Sequence, residues 1–190
     1  MALPLRLGAW SAGRDPSGHR RASSGLRIPV SRCLSATRVA VDSARPAVEP
    51  VFDALASRVL WVGEAGMGSR LKLATNHWMI TSVAALAESM HLCQAMGLDQ
   101  QQFIALLDGG PLGSAYALQK LDEMRRHQYP AGFPVRLALK DLELVREVEQ
   151  NTQTTMPLLD AVLERFVNAG EDLADQDLAA IYELDGPAAT

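Results

Sequence analysis

Residues 69–96, SRLKLATNHWMITSVAALAESMHLCQAM, run for 28 positions without a proline or a glycine, and Gly97 follows at once. Such a run predicts one unbroken helix closed by a glycine cap, about 42 Å long at ~1.5 Å per residue. Sixteen of the 28 residues are apolar, spread over more than one face, and Trp78 to Ala87 is nearly all apolar. A helix apolar on several sides is the centre of a bundle or of a subunit interface.

The segments downstream also read as helices. LDQQQFIALLDGG (98–110) gives a short helix capped near Asp99 and stopped at Gly109 and Gly110. LGSAYALQKLDEMRR (112–126) gives another, ended before Pro130. FPVRLALKDLELVREVEQN (133–151) sets Leu137, Leu142, Val145 and Val148 along a stripe. TTMPLLDAVLERFVNAG (154–170) begins with a threonine cap near Pro157, and DQDLAAIYELDG (175–186) closes the chain. No strand-like alternation follows residue 62. The expected fold is mainly α, with an all-helical domain over 67–190.

Upstream, SARPAVEPVFDALASRV (43–59) carries apolar residues at helical spacing, with Ser43 as a possible cap. Pro46 and Pro50 confine regular helix to the part from about Pro50 onward. RVLWVG (58–63) then reads as a short strand. Helix followed by strand is the repeating unit of an α/β domain, and one unit cannot form a sheet alone. Residues 43–66 are therefore expected to be the last helix and strand of such a domain.

The first 45 residues hold eight arginines against Asp15 and Asp42, whereas the remainder holds ten cations against twenty acids. The resulting net charges are +6 and −10, which give the −4 of the whole chain. An acidic body argues against a nucleic-acid partner, and no apolar run reaches the ~18–20 residues of a membrane span. Cys33 and Cys93 lie far apart, with no metal-ligand spacing, so neither a disulfide scaffold nor a metal site is expected and the cytoplasm is the simplest location. Residues 1–42 are rich in Gly, Pro, Ser and Arg without periodicity, and are expected to be disordered. They read as an out-of-frame or truncated segment, or alternatively as an organelle-targeting peptide.

The start of the long helix carries the chemistry. GEAGMGSRLKLATN (63–76) has the spacing G-x-x-G-x-G-x3-K-x3-N. The order is wrong for a dinucleotide turn, and Ser69-Arg70 stands where a P-loop needs Lys-Ser/Thr. Lys72 and Asn76 are i and i+4, so they share one helical face, continued by the apolar Met79, Val83 and Ala87. A lysine near the positive end of a helix dipole is unfavourable without an anionic partner, and apolar walls would lower its pKa toward proton donation. The plain alternative is a solvated lysine beside an asparagine. Lys140 and Asp141 are adjacent and face different sides of their helix, while Lys120 reads as ordinary surface.

Taken together, GEAGMGSRLKLATN, GLD at 97–99 and Phe133-x6-Lys140-Asp141-Leu142 resemble the C-terminal domain of the β-hydroxyacid dehydrogenase family, from about residue 46 onward. That family includes 3-hydroxyisobutyrate dehydrogenases, 2-hydroxy-3-oxopropionate (tartronate semialdehyde) reductases and the glyoxylate or succinic semialdehyde reductases. The resemblance implies hydride transfer between NAD or NADP and a small hydroxyacid or semialdehyde, and a homodimer joined through the helical domain. It implies that Lys72 is the catalytic proton carrier and that Asn76 binds substrate. It places Lys140 and Phe133 beside the cofactor, and Gly63, Gly66 and Gly68 at the turn between domains. No Gly-x-Gly-x-x-Gly fingerprint precedes residue 63, so the chain alone is expected to have weak or no activity. A non-catalytic helical dimerisation module is the alternative.

Overall fold

The computed structural model describes residues 35–38, 45–55 and 58–185. Two strands, β1 (Ser35–Arg38) and β2 (Arg58–Trp61), flank α1 (Arg45–Leu55). They pair in parallel, Ser35 opposite Arg58 and Arg38 opposite Trp61. This is a strand–helix–strand unit, the crossover form that parallel pairing requires. α1 begins at Arg45, five residues earlier than the prolines suggest. Pro46 falls in the first turn, where its missing N–H is not needed, and only Pro50 removes a bond from the helix interior. Phe52 meets Trp61 of β2 with ring centroids 6.0 Å apart, and the Arg45 guanidinium lies 4.9 Å from the centre of the Trp61 ring.

β1 falls within 1–42, the segment expected to be largely disordered. SATR has one β-branched residue and no alternation, so its strand conformation comes from pairing with β2 rather than from local preference. Residues 1–34 and 39–44, with the expectations attached to them, lie outside the described residues.

The helical domain follows as expected in outline. α2 runs Met67–Ala95, and Gly97 has φ +70 just beyond its end. α3 (Gln100–Leu107) is capped by the Asp99 carboxylate on Gln101 N at 2.8 Å. α4 (Ala115–Arg126) is capped by Ser114 Oγ on Ala117 N at 3.1 Å. α5 (Val135–Thr152) and α6 (Pro157–Asn168) follow, and a 3₁₀ helix over Leu178–Asp185 closes the described chain.

Three local readings change. No threonine caps α6; its N-cap is Met156, whose N–H donates to Glu149 Oε1 at 2.8 Å, so an acid on α5 supplies the acceptor. The last segment winds as 3₁₀ rather than α. The buried stripe of α5 is Val135, Ala138, Asp141, Leu142 and Val145, whereas Val148 is exposed and Leu137 half-buried.

α2 is the axis. Its Ile80, Val83, Ala87 and Met90 meet Leu121 and Met124 of α4, Ala138, Leu142 and Val145 of α5, Leu159, Val162 and Phe166 of α6, and Leu178 and Ile181 of the closing helix in one core. On the opposite side of α2, Met67, Leu71, Trp78 and Leu92 are exposed, as is Met96 at its C-cap, Trp78 at 64%. Among the described residues no helix is long and apolar enough to cross a membrane.

Candidate active site

The turn before α2 is made by two glycines. Gly63 (φ +107) and Gly66 (φ +92) lie in the left-handed region, which side chains other than glycine adopt at a cost. Gly68, expected in the same turn, is instead the second residue of α2 and is buried there. The turn is complete at Gly66, the N-cap of α2.

Lys72 lies in the second turn of α2 and is exposed. Among the described residues its ammonium has no ion pair or hydrogen bond, and the apolar walls expected around it are not present. Asn76, one turn further in, is half-buried. Its Nδ2 donates to Asp141 Oδ2 on α5 at 2.5 Å. The other oxygen of that carboxylate accepts from Lys140 Nζ at 3.2 Å. Asp141 is 4% exposed, whereas the Lys140 side chain is 59% exposed. The two neighbours do face different sides of α5, but the long lysine stem returns its ammonium to the carboxylate. Asn76 and Lys140 are therefore joined through Asp141, with Lys72 one turn outward on the face of Asn76.

Asp141 is the site residue that sequence reasoning missed. The signal was present: Ala138, Asp141, Leu142 and Val145 stand at i, i+3, i+4 and i+7, so the acid sits on the buried stripe. A buried carboxylate needs partners, and Asn76 and Lys140 provide them.

Phe133 is half-buried against the core just before α5. Its N–H donates to Asp177 Oδ2 at 3.0 Å, and its carbonyl accepts from Leu178 N at 2.9 Å. It stands seven residues before Lys140 and makes no hydrogen bond to the Asn76–Asp141–Lys140 chain. Lys120, read as ordinary surface, is 3% exposed and bonds Asp177 and Glu123, each at 2.8 Å. Its neighbours Asp122, Arg125 and Arg126 do lie at the surface, where the Arg125 guanidinium holds the Asp122 carboxyl below its usual range.

On the same helix as Asn76, burial lowers the pKa of His77. Its Nδ1 and the Thr81 hydroxyl, one turn on, are buried atoms without partners among the described residues. No three His, Cys, Asp or Glu side chains of the described residues converge to hold a metal.

Residues 66–184 match the family model described as the NAD-binding domain of NADP-dependent 3-hydroxyisobutyrate dehydrogenase. The chain belongs to this family. Among curated relatives, glyoxylate/succinic semialdehyde reductase 1 of Arabidopsis thaliana is 30% identical over 135 residues, which cover 70% of this chain and 47% of the relative. The chain thus spans about half the length of this relative. The 3-hydroxyisobutyrate dehydrogenase of Salmonella typhimurium superposes with a TM-score of 0.71 at 23% identity, over 77% of this chain and 52% of that one. Psf3, solved in complex with NADP+ and 2-OPP, superposes with a TM-score of 0.70 at 20% identity, over 79% and 53%. These two likenesses bear on the fold, which is that of the family's helical domain.

Proposed function

We propose that the chain provides the proton-handling and substrate-orienting half of an NAD(P)-dependent hydroxyacid dehydrogenase, acting on a small hydroxyacid or its semialdehyde. The observation that carries this reading is the Asn76–Asp141–Lys140 hydrogen-bond chain beside an exposed Lys72 on the first turns of α2. When bound, the nicotinamide supplies or removes hydride at the substrate carbon. Lys72, as ammonium, gives its proton to the carbonyl oxygen during reduction, and as free amine takes one from the hydroxyl during oxidation. Asn76 orients the substrate, and Asp141 fixes Asn76 while drawing Lys140 to the same side. An asparagine held by a buried carboxylate cannot swing away, so the substrate meets a pre-set partner.

The residues present fit one end of the cofactor. Lys140, with its exposed ammonium, and Phe133, at the head of α5, would hold the nicotinamide side. A pyrophosphate needs a glycine turn at a strand-to-helix junction, and among the described residues β1, α1 and β2 contain none. We therefore assign this strand–helix–strand unit to the end of a dinucleotide-binding domain, 67–190 to the helical domain, and weak or no turnover to the chain alone. The exposed apolar residues at the two ends of α2, Met67, Leu71 and Trp78 at one and Leu92 at the other, support a homodimer through the helical domain, because exposed apolar patches mark interaction surfaces. A reducing compartment such as the cytoplasm suits the buried free thiol of Cys93.

The test is NADPH- and NADH-dependent reduction of succinic semialdehyde and glyoxylate. It is run on the chain alone and on the chain fused behind the dinucleotide-binding domain of a relative. Turnover is expected from the fusion and not from the chain alone. A fusion that binds cofactor but turns over no semialdehyde or hydroxyacid favours the non-catalytic dimerisation module.

A further inference from the structure

Asp177 is fully buried, and both of its oxygens are saturated. Oδ1 accepts from Lys120 Nζ at 2.8 Å and from Ala179 N at 3.0 Å; Oδ2 accepts from Gly132 N at 3.2 Å and from Phe133 N at 3.0 Å. Lys120 reaches a second carboxylate, Glu123, at 2.8 Å, and its ammonium lies 5.4 Å from the centre of the Tyr116 ring. Burial, and then the Asp177 and Glu123 carboxylates, push the Tyr116 phenol well above its ordinary range. Buried ion pairs are poor devices for stability alone, since well-packed apolar residues often do as well or better. What a carboxylate adds is direction: two successive N–H groups on one oxygen fix the peptide plane between them.

That plane lies at the head of α5. A Cβ on residue 132 would stand 3.2 Å from Asp177 Oδ2, so glycine permits the close approach. The N-cap of α5, Pro134, has no side-chain acceptor to offer. Its place is taken by the same neighbouring segment, because Val135 N donates to Gln176 O at 2.9 Å and Arg136 N to Ala174 O at 3.0 Å. The entry to α5 is thereby stapled to residues 174–178, and Asp141 follows two turns later.

We propose that Lys120 and Asp177 form a positioning pair for the cofactor-side wall, setting the backbone at Phe133 and the entry of α5, and through α5 the Asp141–Asn76 hydrogen bond. The pair touches neither substrate nor cofactor. Its link to cofactor rests on the reading of Phe133 and Lys140 given above; its geometry does not.

The experiment is amide exchange and side-chain NMR on the full 190-residue chain, labelled with nitrogen-15. In the unmodified chain, the Gly132 and Phe133 amides are expected to exchange as slowly as that of buried Leu142. Exchange at the rate of an open loop would overturn the proposal. Asp177→Asn puts an NH2 group against donors. Protection at Gly132 and Phe133 should fall at least tenfold more than at Leu142, and the Asn76 side-chain amide signal should move. Lys120→Arg, which keeps the charge, should hold that signal in place.

Should Asp177→Asn fail to fold, the apolar double variant Lys120→Met/Asp177→Leu removes both buried charges and leaves Glu123 its Gln119 hydrogen bond, and the folded product should still show a displaced Asn76 signal. A folded variant with an unmoved Asn76 signal and uniformly reduced protection would make the pair structural only and refute the proposal. These readouts report geometry rather than turnover, so a fusion without activity would sink the functional reading and leave them standing.

Discussion

Around Asp177, four donors answer two oxygens in the dry middle of the helical domain, and a lysine sits there at 3% exposure. At the start of α2 another lysine, Lys72, stands exposed, with no polar partner among the described residues. One region pairs its charge with buried partners; the other leaves its charge exposed, as the proposed proton carrier requires. A saturated buried lysine cannot donate to a visitor without breaking its own bonds, whereas an unpartnered one at a helix start can.

The comparison breaks most visibly in stability. Asp177→Ala should cost about 3–5 kcal/mol, because it leaves buried Lys120 with Glu123 alone and takes the acceptor from the Gly132, Phe133 and Ala179 N–H groups. Lys72→Ala should stay within about 0.5 kcal/mol, as exposed substitutions do. Urea unfolding of both variants measures the contrast, and equal losses would erase it. Between these extremes lies Asn76→Ala, expected to lose about 1–3 kcal/mol because buried Asp141 is left with an unanswered acceptor. Gly66→Ala should lose about 1–2 kcal/mol through its φ of +92. No neighbour lies within 4 Å of where the new Cβ would stand, so crowding adds nothing.

The smallest effect is a pH dependence. Burial lowers the folded pKa of His77 below its ordinary 6.5, so the unfolded chain binds more protons in the window just below that value. Stability therefore rises with pH through this window and levels off above it. His77→Gln should flatten that part of the profile measured by urea unfolding at stepped pH. An unchanged slope would show that His77 does not titrate differently on folding.

Much of this was legible in the chain. The long helix, its glycine stop, the Asp99 cap and the order of helices follow from proline and glycine placement and from apolar spacing, which are local signals. The lysine–asparagine face was legible for the same reason, since i and i+4 on one helix is a local relation. What escaped depends on contacts distant in sequence. Lys120 and Asp177 are 57 positions apart; Lys120 stands at i+3 of the stripe Ala117, Leu121 and Met124, but its chain neighbours Asp122, Glu123 and Arg125 look like a solvated face. The strand at Ser35–Arg38 exists by pairing with β2. Asp141 could have been found, since an acid at i+3 of an apolar stripe is buried by the same periodicity that buries the stripe.

The proton-carrying role of Lys72 is tested most directly in the fusion that completes the nucleotide site, by comparing kcat for semialdehyde reduction between the unmodified form and Lys72→Ala. Loss of general acid–base catalysis should lower kcat by roughly 10²–10⁴-fold, with the affinity for NADPH unchanged. A variant that binds NADPH as before and turns over at the original rate would return Lys72 to the role of a solvated surface lysine and contradict the account.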